Sequence, residues 1–327
     1  MRKISLEDHF STPELIKAFD IKPTKSQSRF KDIECRLNDF DELRIETMDK
    51  AGIDLQVISV TTPGVQAHSN IKEAIRLAQQ ANDMLAVQIQ KRPTRYAGFA
   101  HLPTQDAYSA ADELERTVKN LGFLGALING QTNGHFLDEE MYFPFWERVQ
   151  DLDVPIYLHP GQMADLPLIY KGHPELIGPI WSWGSDTAAH ALRMVFSGTF
   201  KRYPRVKIIL GHMGETLPYF LWRLDSRWKE LQSEEVAPED LPSTIIKNHF
   251  VITTSGVFNP DVLINAIAAM GEDNVMFSVD YPYEDTQLAS SFIETVPISE
   301  EVRAKICYGT AERILKISLQ SPAPSTP

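Results

Sequence analysis

The sequence predicts an α/β fold: a single domain built as a (β/α)8 TIM-type barrel over residues 1–317. Three observations predict it. Eight short β-rich runs recur along the chain, segments of helical periodicity separate them, and 327 residues with 43% hydrophobic content suffice for one large core. In order, the strand candidates are KISLEDH (3–9), DLQVISV (54–60), YAGFAHL (96–102), GALING (125–130), VPIYLHP (154–160), VKIILGH (206–212), FVITTSG (250–256) and VMFSVDYP (275–282). Between them, IKEAIRLAQQANDMLAVQIQK (71–91), AYSAADELERTVKNLG (107–122) and PDVLINAIAAMG (260–271) carry apolar residues at helical spacing. Several strands are near-continuous apolar runs, as expected when one face fills a barrel and the other lies under helices. The Gly- and Pro-rich stretch from Pro160 to Pro179 is long for a βα loop and reads as a lid or a subunit contact. The tail SLQSPAPSTP, residues 318–327, reads as disordered.

A net charge of −12 argues against nucleic acid or an anionic membrane surface as the partner, because both need clustered Lys and Arg. No apolar run reaches the ~20 residues of a transmembrane helix. The opening MRKISLEDHF lacks a signal-peptide core, and Cys35 and Cys307 are too few for a disulfide framework. A cytoplasmic location is the expectation, with packing roles for both cysteines.

In such barrels the chemistry sits at the carboxyl ends of the strands. The polar residues fall there: Glu7 and His9 on strand one, Asn129 on four, His159 on five, His212 on six and Asp280 on eight. Alternation places Glu7 and His9 on one face of their strand and leaves Asp8 on the other as a structural residue. Glu7, His9, His159 and Asp280 form a mixed donor set of two carboxylates and two imidazoles, which suits one Zn, Mn or Fe ion with room for substrate or water. Each of these residues alone would fit an ordinary strand end or helix cap, but convergence of strands one, five, six and eight favours a mononuclear metal site. His68, His101, His135, His173, His190 and His249 read as structural; His101 comes nearest to an exception, since it too lies near a strand end.

The segment GHMGETLPYFLWRLDSRW (211–228) reads as a helix that begins almost at once after His212. Glu215, one turn on, would orient the His212 imidazole and make an acid–base pair with it. Arg223, eight residues further on the same helical face, would hold a substrate or partner carboxylate bidentately, or pin Glu215 or a neighbouring subunit. Trp181, Trp183 and Tyr283 read either as walls for a flat ring or as packing.

The segments LEDHF, GALING, YLHP, GHPELIGPIWSW, TAAHALRMVFSGTFKRYPRVKIILGHMGETLPYFLWRLD, VITTSG and FSVDYPYED carry a resemblance that covers roughly residues 3–317. They resemble the metal-dependent decarboxylase branch of the amidohydrolase superfamily, and within it most closely the γ-resorcylate (2,6-dihydroxybenzoate) decarboxylases. The resemblance implies a carboxy-lyase acting on a small aromatic carboxylic acid, with one divalent metal ion, Zn or Mn, and no organic cofactor. It implies metal ligation by Glu7, His9, His159 and Asp280, catalytic roles for Asp280, His212 and Glu215, and Arg223 holding the site together. Asn129, Trp181, Trp183 and Tyr283 are the substrate-binding candidates, and a homodimer or homotetramer follows from the resemblance alone. Glu7, where hydrolytic members begin a His-x-His pair, points to carbon–carbon cleavage. His9, where the 2,3-dihydroxybenzoate, salicylate and 5-carboxyvanillate relatives carry a small residue, points to γ-resorcylate.

GQMADLP after YLHP, in place of an Arg-Asn-Pro run, and a short loop after Asn129 depart from that pattern in the substrate-covering loops. Orsellinate, salicylate, 2,3-dihydroxybenzoate and 5-carboxyuracil therefore stand as alternative substrates. A metal-dependent hydrolase of a lactone or cyclic amide is the alternative reaction, and an inactive binding barrel the third reading.

Direct loss of CO2 from a benzoate would leave an aryl carbanion whose lone pair lies outside the π system. Protonating the carboxyl-bearing carbon first lets CO2 departure restore aromaticity, and an ortho oxygen supplies the electron density. A dication that binds the carboxylate and that oxygen would orient and polarise the ring. The family-implied proton donor is Asp280, with His212 as relay or as the partner of a second ring hydroxyl. A metal-bound carboxylate has its pKa pushed down, which opposes the acid role, and a dianionic substrate offsets part of that charge.

Overall fold

The computed structural model describes residues 1–18 and 27–318, so residues 319–327 of the expected disordered tail lie outside the described residues. Among the described residues eight strands run β1 (Ile4–Phe10), β2 (Leu55–Val60), β3 (Tyr96–Gly98), β4 (Ala126–Asn129), β5 (Ile156–His159), β6 (Ile208–Leu210), β7 (Phe250–Thr253) and β8 (Val275–Met276). All neighbours pair in parallel, in the orders β1-β2-β3 and β4-β5-β6-β7-β8. Backbone bridges Ala100↔Ala126 and Asp8↔Tyr281 join the two sheets at both seams and close the barrel. This is the expected (β/α)8 architecture.

Helices follow where the periodicity put them. Ile71–Lys91 begins under an Asn70 cap whose side chain accepts from Glu73 N at 3.2 Å, and Ala107–Leu121 begins under Asp106, which accepts from Ser109 N at 2.8 Å. Leu6, Val57, Phe99, Leu127, Tyr157, Ile209, Val251 and Met276 fill the barrel interior as one buried cluster, while Ile58, Ile128, Leu158, Leu210 and Ile252 pack outward beneath the helices. Two residues beyond the interior set, alternation brings Ser59, His101, Asn129, His159 and Thr253 to the inner wall of the mouth.

Several strands are shorter than the sequence pattern suggested, and in β3, β7 and β8 the shortening is at the carboxyl end. β8 stops at Met276 and β6 at Leu210, because the residues that follow leave the ladder to aim side chains at the mouth. The stretch 160–181 is an extended loop with short turns at Leu168–Tyr170 and Pro174–Leu176, and it leaves Leu166, Leu168, Ile169, Ile180 and Trp181 exposed. Cys307 is buried as expected, but Cys35 is exposed, which removes the packing role assigned to it. Among the described residues, no helix is long and apolar enough to cross a membrane.

Candidate active site

Glu7 reaches the mouth through an irregularity in β1. The register with β2 shifts between Ser5 and Asp8, so three steps on β1 face two on β2. The backbone N–H groups of Leu6 and Glu7, displaced from the ladder, both donate to Ser278 Oγ at 3.2 and 2.8 Å. The fully buried Glu7 carboxylate accepts at Oε2 from the Tyr157 hydroxyl, whose oxygen also lies 3.0 Å from Thr253 Oγ1. Its Oε1 has no hydrogen-bond partner and faces His159 Nε2 at 3.2 Å. A Cβ on Gly211 would fall 2.5 Å from Glu7 Oε2, so only glycine lets β6 approach the carboxylate this closely.

His9 and His159 meet edge to face with ring centroids 4.8 Å apart. The His159 Nδ1–H donates to the Pro160 carbonyl at 2.8 Å, which leaves the Nε2 lone pair directed at Glu7. On His9, Nδ1 lies 3.3 Å from Ser59 Oγ, while Nε2 has no hydrogen bond and faces Asp280 Oδ1 at 3.3 Å. One donor atom from each of Glu7, His9, His159 and Asp280 lies within 4.8 Å of all the others. Two buried polar atoms without partners, pointing into one small space between two imidazoles and two carboxylates, fit a divalent cation. Burial alone would push the Glu7 carboxyl up, but His212, His159 and His9 around it hold it well below the usual carboxylate range. Asp8 turns away as expected: its Oδ1 accepts from Tyr281 N at 3.2 Å, and burial pushes its carboxyl up to about 7.

The segment after β6 is not the helix that its sequence suggested. His212, Met213, Gly214, Glu215 and Thr216 all have positive φ, between 47° and 75°, which makes one left-handed turn. For residues with a Cβ this conformation costs roughly 1–2 kcal/mol each, and such strain concentrates at functional sites. The turn still pairs His212 Nδ1 with Glu215 Oε1 at 2.7 Å and aims His212 Nε2 at Asp280 Oδ2 and Glu7 Oε1, both at 3.8 Å. Burial works against a charged His212, yet Glu215, Glu7 and Asp280 outweigh it and hold the imidazole well above its ordinary pKa. A cation between Glu7 and Asp280 would take over part of that charge balance. Gly256, at φ 64°, lies under the ring; a Cβ there would sit 3.0 Å from His212 Cδ2.

The same turn breaks the helical projection to Arg223. The helix starts afresh at Leu221–Leu231, and Arg223 lies exposed on its outer side rather than beside Glu215. Trp181 is 55% exposed, whereas Trp183 is half-buried on a helix whose Gly184 would set a Cβ 2.9 Å from Glu215 Oε2. Tyr283 stands at the cluster: its ring centroid is 5.8 Å from that of His9 and its hydroxyl is 2.5 Å from Thr61 Oγ1. Asn129 is buried, with its backbone held by Gln66 at 2.6 and 3.2 Å and its side-chain amide without a hydrogen bond. His101, also buried, accepts the Val65 N–H at Nε2 (2.7 Å) and is left with an unpartnered Nδ1. Sequence reasoning missed Tyr157, Ser59 and Ser278. Tyr157 was within reach, since it lies two residues before His159 on the same strand face.

A family model described as amidohydrolase matches residues 32–317. A γ-resorcylate decarboxylase from Polaromonas sp. strain JS666 is 44% identical, over 97% of this chain and 99% of that protein. A 2,6-dihydroxybenzoate decarboxylase solved in complex with 2,6-dihydroxybenzoate superposes with a TM-score of 0.90 at 41% identity, covering 97% and 99% of the two chains. A dihydroxybenzoic acid decarboxylase from Polaromonas sp. JS666, solved with manganese and the inhibitor 2-nitroresorcinol, gives 0.88 at 44% identity over 96% of each chain.

Proposed function

This chain belongs to the amidohydrolase family, and from that membership we propose that it catalyses metal-dependent, reversible, non-oxidative decarboxylation of 2,6-dihydroxybenzoate to resorcinol. The observation that carries the reading is the buried Glu7–His9–His159–Asp280 cluster set against the His212–Glu215 pair. The four clustered residues are the proposed ligands of one divalent ion; relatives solved with manganese favour Mn2+, and the N/O set also suits Zn2+. When bound, the ion supplies Lewis-acid polarisation and charge neutralisation for an anionic substrate.

The chain's own residues supply the proton. Asp280 delivers it to the carboxyl-bearing carbon, and His212, steadied through Nδ1 by Glu215, resupplies Asp280 across the short gap from Nε2 to Oδ2. Loss of CO2 then restores the aromatic ring. Tyr283 and Trp183 flank the flat ring, and the unpartnered amide of Asn129, on β4 beside His159, takes a ring hydroxyl. The exposed apolar side chains Leu168, Ile169, Ile180 and Trp222, the last next to Arg223 in sequence, support association of copies into a homodimer or homotetramer. A cytoplasmic location completes the proposal.

The test is to incubate the Mn-loaded protein with 2,6-dihydroxybenzoate, orsellinate, salicylate and 2,3-dihydroxybenzoate, following CO2 and the phenol formed. Highest kcat/KM on 2,6-dihydroxybenzoate is expected. No CO2 from any of the four, with metal present, would reject the assignment.

A further inference from the structure

The geometry points to Tyr157 as a positioning residue that makes Glu7 a one-oxygen metal ligand; the inference rests on the metal-site reading above. Three contacts immobilise Glu7, two at its carboxylate and one at its backbone. The Tyr157 hydroxyl donates to Oε2 and is itself within 3.0 Å of Thr253 Oγ1. The Gly211 backbone packs against the same oxygen, so closely that a Cβ there would come within 2.5 Å of it. Ser278 Oγ fixes the Glu7 backbone N–H at 2.8 Å, and with it the strand irregularity that aims the side chain. Oε2 is thereby committed to the protein and Oε1 alone, without a hydrogen bond, faces the other three donors.

A carboxylate can bind a cation through one oxygen or two. Held this way, Glu7 fills one coordination position, as a histidine in its place would, and leaves the positions that a second carboxylate oxygen would take for the oxygens of a substrate. Charge-assisted donation from a hydroxyl is strong enough to hold that orientation, and partners of this kind alter metal affinity by about 10- to 100-fold when removed.

The experiment uses the full-length protein, stripped of metal and titrated with Mn2+. Tyr157→Phe keeps the ring and deletes the donor. Its Mn2+ affinity is expected to fall about 10- to 100-fold, and X-ray absorption at the Mn edge is expected to show one additional oxygen neighbour as Glu7 swings to two-oxygen binding. A change in fold alone would not add that neighbour. Thr253→Val, which removes the support to the Tyr157 hydroxyl and a long 3.4 Å bond from the Ser255 N–H, should shift affinity in the same direction by about two- to tenfold, and it carries the test if Tyr157→Phe does not fold. Wild-type affinity and an unchanged neighbour count in the folded variants would overturn the proposal while leaving the metal site intact. A wild-type protein that binds no divalent ion would overturn the metal reading together with it, and neither measurement depends on turnover.

Discussion

His159 ends β5 and His101 follows β3 on the same inner wall of the barrel mouth, both buried, yet only one offers a lone pair to the proposed metal cluster. His159 donates from Nδ1 to its own neighbour's carbonyl and presents Nε2 to Glu7; His101 uses Nε2 to accept the Val65 N–H. The difference lies in which ring nitrogen each histidine commits to its hydrogen bond, not in which wall it lines. It divides the mouth into a charged half, built by β1, β5 and the segments after β6 and β8, and a neutral half built by β2, β3 and β4. In the neutral half burial pushes His101 down to about 3, so it stays uncharged at any ordinary pH. A substrate that carries a carboxylate and one hydroxyl toward the charged half, and a further hydroxyl toward Asn129, matches both.

Breaking the charged half should have the largest effect. Asp280→Asn and His212→Ala are each expected to lower kcat by on the order of 10³-fold or more while circular dichroism stays that of the wild type. Near-normal rates in either would remove that residue from the proton route. The two histidines should then separate on metal binding. His159→Ala is expected to weaken Mn2+ affinity by on the order of 100-fold or more, and His101→Gln by less than about threefold, in calorimetric titrations. Equal losses would erase the division of the mouth.

Arg223, outside both halves on this chain, should act on assembly. Arg223→Ala is expected to raise the dissociation constant between copies by about tenfold in analytical ultracentrifugation; an unchanged constant would remove it from the interface.

The smallest effect at neutral pH comes from the buried neutral histidines. His101 and His190 have folded pKa values lowered from 6.5 to about 3 by burial. As pH falls below 6.5 the unfolded chain takes up protons first, so stability is intact above 6.5 and is lost between 6.5 and about 3. Each histidine contributes up to ~1.4 kcal/mol per pH unit to that loss. Urea unfolding of His101→Gln should show a shallower decline over this window; an unchanged slope would mean that His101 is charged in the fold.

Part of the charged half was legible from strand periodicity: a period of two sets Glu7 and His9 on one face of β1 and His159 on the inner face of β5, where the same rule reaches Tyr157. The irregularity in β1 that turns Glu7 inward after Leu6, and the positive φ that aims Asp280, are not written in that period. The segment after β6 was not legible in that way. GHMGET carries only one glycine within five consecutive left-handed residues, so nothing in its composition announced the turn, and a helix running unbroken from His212 to Arg223 is not what forms. The split between His159 and His101 was equally hidden, since it depends on the backbone N–H of Val65, whose position is set by the fold of another loop.

The central claim, replacement of the carboxyl group by a solvent-derived proton through Asp280 with release of CO2, is tested most directly by turning over 2,6-dihydroxybenzoate with the Mn-loaded protein in D2O. The account predicts one CO2 per substrate consumed and resorcinol carrying a single deuterium at the carbon that bore the carboxyl group, with both products absent in Asp280→Asn. Resorcinol without deuterium at that carbon, or consumption of substrate without CO2, would contradict it.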